Sequence, residues 1–276
     1  MIIYPKTNEL MGGLEPLKRY VNKGIEIQFL SKEFLDDAIE KTIREVKIKI
    51  PQLEEIIIHP PITSEFNFEA LAFANSDVEK NRLKNLVRIS NELNIKIKML
   101  YHTYWTCCGW ERSGAMTKMK ELISIIEGTN VGILIENIYP LVEYYEAKEC
   151  SVLAIANQIN SEHLKVCLDI CHLHCLANIF KMNFEEFLNA YLYKEKAQKY
   201  IYQIHFAGAL NNDGVIDHSK THGRLHDTWE NFEKDYEILT RFGIEDRIIV
   251  PEVSEENYET RADQIEEIKM LLKIHQ

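Results

Sequence analysis

Short, almost uninterrupted apolar runs recur along the chain, at 2–4, 24–30, 55–59, 95–102, 132–138, 165–172, 201–206 and 247–253. They are rich in Ile, Val and Leu and too short for helices. Continuous apolar character of this kind marks parallel strands covered on both faces. Between them lie longer segments, 14–22, 35–46, 66–93, 112–127, 141–159, 184–199, 229–242 and 256–274, with apolar positions at helical spacing. In Leu35-Asp36-Asp37-Ala38-Ile39 and Ile265-Glu266-Glu267-Ile268 the charge falls on the outer face. Strand then helix, eight times over, predicts an α/β fold whose economical closure is a (β/α)₈ TIM barrel. The rival, an open doubly wound sheet, would carry a Gly-rich phosphate loop after an early strand, and the chain has none.

Length agrees with one such barrel: 276 residues, with only 7 Pro and 11 Gly and no polar linker, read as a single domain over 1–276. The net charge of −11 gives no support for broad electrostatic binding to nucleic acid. No apolar run approaches the ~20 residues of a membrane span, and Met1 to Thr7 lacks the pattern of a secretory leader. The six Cys (107, 108, 150, 167, 171 and 175) show neither the paired spacing of a structural zinc site nor a disulfide framework, so a reducing, cytoplasmic setting is expected.

In a barrel of this kind chemistry gathers at the C-terminal ends of the strands. His59 ends the third run, His102 the fourth and His205 the seventh; Glu136 closes the fifth, and Glu252 the eighth. Asp169 lies in Cys-Leu-Asp-Ile-Cys-His, with His172 three residues on. Singly, each has an ordinary explanation as a hydrogen-bonded histidine or a solvated loop carboxylate. Together they put three carboxylates and four imidazoles on one rim, where a buried carboxylate is costly unless paired or bound to metal. Imidazole and carboxylate without thiolate suit a catalytic divalent ion, Zn²⁺ first, with Mn²⁺, Fe²⁺ or Co²⁺ as alternatives. Seven ligands exceed the needs of one ion, so two or three ions are expected, with Glu136 as a bridge.

The set Glu136, Asp169, His205 and Glu252 resembles the metal site of the xylose isomerase-like barrels (AP endonuclease family 2), which include sugar isomerases, ketose epimerases and endonuclease IV. Asp169-Ile-Cys-His172 resembles the Asp-x-x-His found after the sixth strand in both epimerases and endonuclease IV. His59, in His-Pro-Pro, and His102 resemble the two further His of the endonuclease IV three-zinc centre, which makes that enzyme the nearest in ligand pattern. The chain departs from it in two places. Glu136-Asn137-Ile138-Tyr139-Pro140 replaces a Gly-rich stretch, and neither His218 nor His222 stands at the offset of the expected Asp-x-His pair. His222, followed by Gly223, is the favoured ligand there. The resemblance implies a metal-dependent hydrolase that cleaves a phosphate ester or diester with metal-activated hydroxide, Glu136 and Glu252 being catalytic. The alternative is a single-metal sugar or sugar-phosphate isomerase or epimerase in which the same two Glu shuttle a proton. Expected partners are a small phosphorylated or sugar substrate, or abasic DNA.

Tyr104 and Trp105, with Trp110, are candidates for a substrate wall, and Lys220 and Arg224 for holding a phosphate. Cys107-Cys108 is read as structural thiols. Cys167 and Cys171 share the alternation of Asp169 and are expected to pack inside the barrel. His174 and His226 are left without a role, and His163 and His275 read as surface residues.

Overall fold

The computed structural model describes residues 1–11, 13–31, 34–103, 114–137, 152–193, 197–208, 226, 228–253 and 257–274. All strand pairings are parallel: β1 (Ile2–Ile3), β2 (Lys6–Asn8), β3 (Gly24–Gln28), β4 (Glu55–His59), β5 (Lys96–His102), β6 (Val131–Glu136), β7 (Leu164–Asp169), β8 (Ile201–Phe206) and β9 (Ile248–Pro251). From β2 each strand pairs with the next in sequence through to β9, and β9 pairs with β1. Only Tyr4 and Pro5 separate β1 from β2, and the backbone runs on through them. Tyr4 N–H donates to Ile249 O at 2.9 Å, and Glu26 N–H donates to Pro5 O at 2.9 Å. The N-terminal segment is therefore one stave, bonded to the last strand by its first half and to β3 by its second, and the eight staves close a TIM barrel.

Two apolar layers follow from the two-residue period of the strands. Tyr4, Ile57, Leu100, Leu134, Cys167, Ile248 and Val250 form a separate cluster that fills the barrel. Their neighbours in sequence, such as Ile56, Ile58, Met99, Ile133, Ile135, Leu168 and Ile249, belong to the main core beneath the helices. At the N-terminal end the plug is polar, with the Tyr4 and Tyr202 hydroxyls donating to Glu55 at 2.7 and 2.5 Å. Gly132 makes room for Lys98 there, since a Cβ on it would lie 2.6 Å from Lys98 Nζ.

The helices depart from the sequence reading most clearly in three places. The expected helix 66–93 is a 3₁₀ turn, Ser64–Phe66, a π-helix, Ala70–Ala74, and an α-helix, Ser76–Leu93, broken where Asn75 leaves helical geometry (φ −127°, ψ 37°). The segment 184–199 is helical over Phe184–Tyr193, with a further 3₁₀ turn, Ala197–Tyr200. The run expected as strand to residue 172 stops at Asp169, and a helix, Ile170–Ile179, follows at once. Asp169 causes that switch, because its side chain caps the helix by accepting the His172 backbone N–H at 2.7 Å. No described helix is long and apolar enough to cross a membrane.

Candidate metal centre

Alternation carries the barrel-filling residues into the mouth. His59, His102, Glu136, Asp169 and Glu252 each lie two positions beyond an interior residue (Ile57, Leu100, Leu134, Cys167 and Val250). They therefore occupy the same phase one layer higher, at the C-terminal ends of the strands. His205 stands likewise two beyond Gln203 on β8. None of the six is more than 9% exposed.

Four overlapping groups of ligand atoms converge among the described residues; one joins Glu26 to His59 and His205, one joins Cys167 to Glu136 and His205, and the other two define the centre. In the first, one atom from each of Glu136, Asp169, His205 and Glu252 lies within 4.8 Å of all the others. His205 Nδ1 sits 3.1 Å from Glu136 Oε1 and 2.6 Å from Glu252 Oε2. In the second, His59, His102 and Glu136 converge on the same criterion. His59 Nε2 and His102 Nε2 stand 3.7 and 3.4 Å from Glu136 Oε2. Glu136 thus offers one oxygen to each group.

The donor set fits divalent cations. His59 Nδ1–H donates to Pro60 O at 2.9 Å, which fixes the tautomer and leaves Nε2 as a bare lone pair facing the centre. His59 Nε2 and Glu136 Oε2 are both buried without a hydrogen-bond partner. Unsatisfied buried atoms of this kind cost about 1–3 kcal/mol each, and a cation between them satisfies both.

His172 stands at the edge of the centre and belongs to no convergent group among the described residues. Its Nδ1–H donates to Asn137 O at 2.6 Å, and its imidazole lies 3.4 Å from Asp169 Oδ2. Asn137 also clamps the backbone of Asp169, accepting its N–H at 2.8 Å and donating to its carbonyl at 3.0 Å. The remaining expected site residues, His222, Lys220, Arg224, Tyr104 and Trp105, lie outside the described residues, as do His218, Trp110, Cys107, Cys108 and His275.

Two buried charges in the mouth were not singled out from sequence. Glu26, on β3, is fully buried and accepts from His205 Nε2–H at 2.9 Å and from Gln203 Nε2 at 2.9 Å. Lys6, on β2, bridges Glu26 Oε1 at 2.9 Å and Glu252 Oε1 at 2.5 Å. The signal was present: Glu26 interrupts the apolar run 24–30, and Lys6 stands two positions beyond the interior Tyr4, on the inward phase.

Electrostatics follow from burial first. Burial pushes Glu136 above the usual carboxylate range, although His205 opposes it. Burial would raise Glu26 too, but the cationic His205 and Lys6 beside it carry it well below that range. Burial and the nearby Lys6 lower His59 to about 4. Burial likewise lowers His102, which is therefore neutral. His205 goes the other way: burial opposes its charge, but the carboxylates of Glu252, Glu26 and Glu136 hold it well above the ordinary histidine value. Without a metal, His205 and Lys6 are the counter-cations of the carboxylates.

Two minor expectations, for Cys171 and His163, are corrected. Cys167 does pack inside the barrel, and burial raises its thiol. Cys171 instead lies in the helix Ile170–Ile179, because the strand has already ended. His163 is buried rather than exposed, with Nδ1–H donating to Val131 O at 2.8 Å and Nε2 accepting from Gly128 N–H at 3.2 Å. His174 and His226 are buried away from the centre and share Asp235 Oδ2 at 3.1 and 3.4 Å. They line a separate cavity of about 320 Å³ between the outer helices, to which no residue of either ligand group contributes.

A family model described as a xylose isomerase-like TIM barrel matches residues 21–274. Comparison with curated proteins gives no match. Among solved structures the chain is similar to a D-tagatose 3-epimerase-like protein, at 20% identity over 98% of this chain and 97% of that one, with a TM-score of 0.63. It is also similar to a xylose isomerase domain protein from Planctomyces limnophilus (12% identity, 99% and 96% coverage, TM-score 0.61). A third similar structure is a D-psicose 3-epimerase (14%, 99% and 98%, TM-score 0.59). At these identities the likeness is one of fold.

Proposed function

The chain belongs to the xylose isomerase-like TIM-barrel family, and from that premise we propose that it is a divalent-metal-dependent isomerase or epimerase of a sugar or sugar phosphate. The observation that carries this reading is the pair of carboxylates, Glu136 and Glu252, set 3.1 and 2.6 Å from one imidazole nitrogen of His205, with Asp169 in the same group. Glu136, Asp169, His205 and Glu252 would hold the ion. Bound there, it supplies Lewis acidity to a carbonyl and a neighbouring hydroxyl of the substrate, acidifying the C–H beside them. Glu136 and Glu252 come from strands on opposite sides of the His205 stave's neighbourhood, β6 and the end of β9. One takes a proton from the substrate carbon and the other returns one, which inverts that carbon or moves the carbonyl. The epimerases among similar structures support this reading above the hydrolase expected from the ligand pattern, and nothing in them supports abasic DNA as the partner.

A second reading, metal-assisted hydrolysis of a phosphate ester, is favoured by one specific observation. His59 and His102 converge on the second oxygen of Glu136, an arrangement suited to a second ion beside the first. Both readings are tested on the metal-loaded protein. Ketoses and ketose phosphates incubated in D₂O should take up one deuterium at the carbon beside the carbonyl. No exchange with any of them, together with turnover of p-nitrophenyl phosphate or its diester, overturns the epimerase reading in favour of the hydrolase.

A further inference from the structure

We propose that Glu26 is a positioning residue of the metal centre, holding His205 with Nδ1 towards the ion. The inference rests on the reading above in taking His205 and Glu252 as ligands. Glu26 is fully buried in the middle of β3, one layer below the rim, and Lys6 is its register partner on β2. Its two oxygens do different work. Oε2 accepts from His205 Nε2–H at 2.9 Å and from Gln203 Nε2 at 2.9 Å. Oε1 takes the Lys6 ammonium at 2.9 Å, and that ammonium reaches on to Glu252 Oε1 at 2.5 Å.

The consequence is a tautomer. An imidazole that donates Nε2–H to a carboxylate presents Nδ1 as its lone pair, and Nδ1 is the atom that faces Glu136 and Glu252. One atom of Glu26 also lies within 4.8 Å of one ring nitrogen each of His59 and His205. Oε2 is committed to two donors, and Oε1, which has no directed hydrogen bond, is ion-paired with the Lys6 ammonium at 2.9 Å; a carboxylate neutralised in this way by a resident cation is placed as a support and not as a ligand.

Glu26→Gln exposes the role because an amide cannot serve both ends. Turning its NH₂ towards Lys6 sets a donor against an ammonium; turning it towards His205 sets a donor against Nε2–H. The first is the costlier, so the carbonyl takes Lys6 and the NH₂ faces His205. Nε2 must then accept, and the imidazole proton moves to Nδ1, where it blocks ligation. In Glu26→Gln/Lys6→Met the ammonium is gone, and the carbonyl is released to accept from Nε2–H again.

The test is Co²⁺ titration of the full chain, wild type and both variants, read as visible d–d bands, ions per chain and affinity by competition with a chromophoric chelator. Losing a supporting carboxylate lowers metal affinity by roughly 10–100-fold. Glu26→Gln should show that loss, with altered d–d bands and unchanged ions per chain at saturation, and the double variant should recover most of it. Should the single variant not fold, near-wild-type affinity in the double variant is the required result. The proposal is overturned if Glu26→Gln binds Co²⁺ as wild type does, if it loses an ion per chain, or if the double variant gives no recovery. If the wild type itself binds no Co²⁺, the metal-enzyme reading fails instead.

Discussion

Glu136→Gln should make the metal-free protein more stable and the metal-loaded protein less so. Glu136 is 1% exposed, its Oε2 has no hydrogen-bond partner, and Glu252 and Asp169 converge beside it. Burial raises its pKa, with the two neighbouring carboxylates adding to the effect and His205 opposing it. The sign follows: a carboxyl whose folded pKa is raised costs stability once pH climbs past its unfolded value of ~4.3, and the cost is complete above the folded value. Gln keeps the volume and removes the charge. Relief of one unsatisfied buried oxygen is worth about 1–3 kcal/mol. At about 2–4 °C per kcal/mol for a chain of this size, Tm of the apo variant should rise by roughly 4 °C at pH 8. His205 loses one neighbour but keeps Glu252 at 2.6 Å and Glu26 at 2.9 Å, so its own cost is small. An ion at 100 times its Kd stabilises the wild type by about 2.7 kcal/mol, and most of that gain should vanish with the ligand. Calorimetry in EDTA and then in Zn²⁺ or Mn²⁺ measures both halves. An apo variant that melts below wild type, or an ion-induced shift of undiminished size, would refute the reasoning.

Two further outcomes are expected. On the proposed epimerase reading, His59→Ala/His102→Ala should leave in place the ion of the Glu136, Asp169, His205 and Glu252 group; loss of about one ion per chain from a folded double variant would establish the second metal position and favour the hydrolase. His226 pairs with Glu267 at 2.6 Å and Asp235 at 3.4 Å; burial opposes its charge, but these hydrogen bonds raise its pKa from 6.5 to about 9. Its stabilisation is therefore complete below pH 6.5 and lost as pH rises through about 9, about 3 kcal/mol in all at ~1.36 kcal/mol per unit. Denaturant titrations of His226→Gln should show a flatter pH dependence across that window, and an unchanged slope would contradict the pairing.

The rim of the barrel was legible because two signals coincide there. A strand buried on both faces reads as an unbroken apolar run, and the polar residue that ends it in His59, His102, Glu136 and His205 marks its C-terminal end. The helix Ile170–Ile179 was not legible for the same reason inverted. Ile-Cys-His-Leu-His-Cys-Leu-Ala is buried nearly all round, so it carries no amphipathic stripe and reads as a continuation of β7. Glu26 was missed because a charge inside the run 24–30 looks like an interruption, and Lys6 because it lies past the end of the run 2–4; only their pairing across β2 and β3, and with His205 and Glu252, brings them to the centre. His163 shows a further limit: its burial depends on Gly128 and Val131, over thirty residues away in sequence.

Charge in the mouth ties metal count to substrate. Among the described residues, Glu26, Glu136, Asp169 and Glu252 bring four carboxylates to the mouth, against the ammonium of Lys6. His59 and His102 are neutral through burial. His205 adds a positive charge only while it keeps the proton that an ion at Nδ1 would displace. With every carboxylate ionised and His205 neutral, these groups leave three negative charges. One divalent ion reduces that to one negative charge, a mouth that repels a phosphate at the reacting position and suits the uncharged carbons of a sugar. Two ions turn it to one positive charge, which attracts a phosphate ester and stabilises the charge built up as it is cleaved. The two readings of this protein are thus two signs of one electrostatic site, and His59 and His102, by holding or not holding a second ion, set the sign.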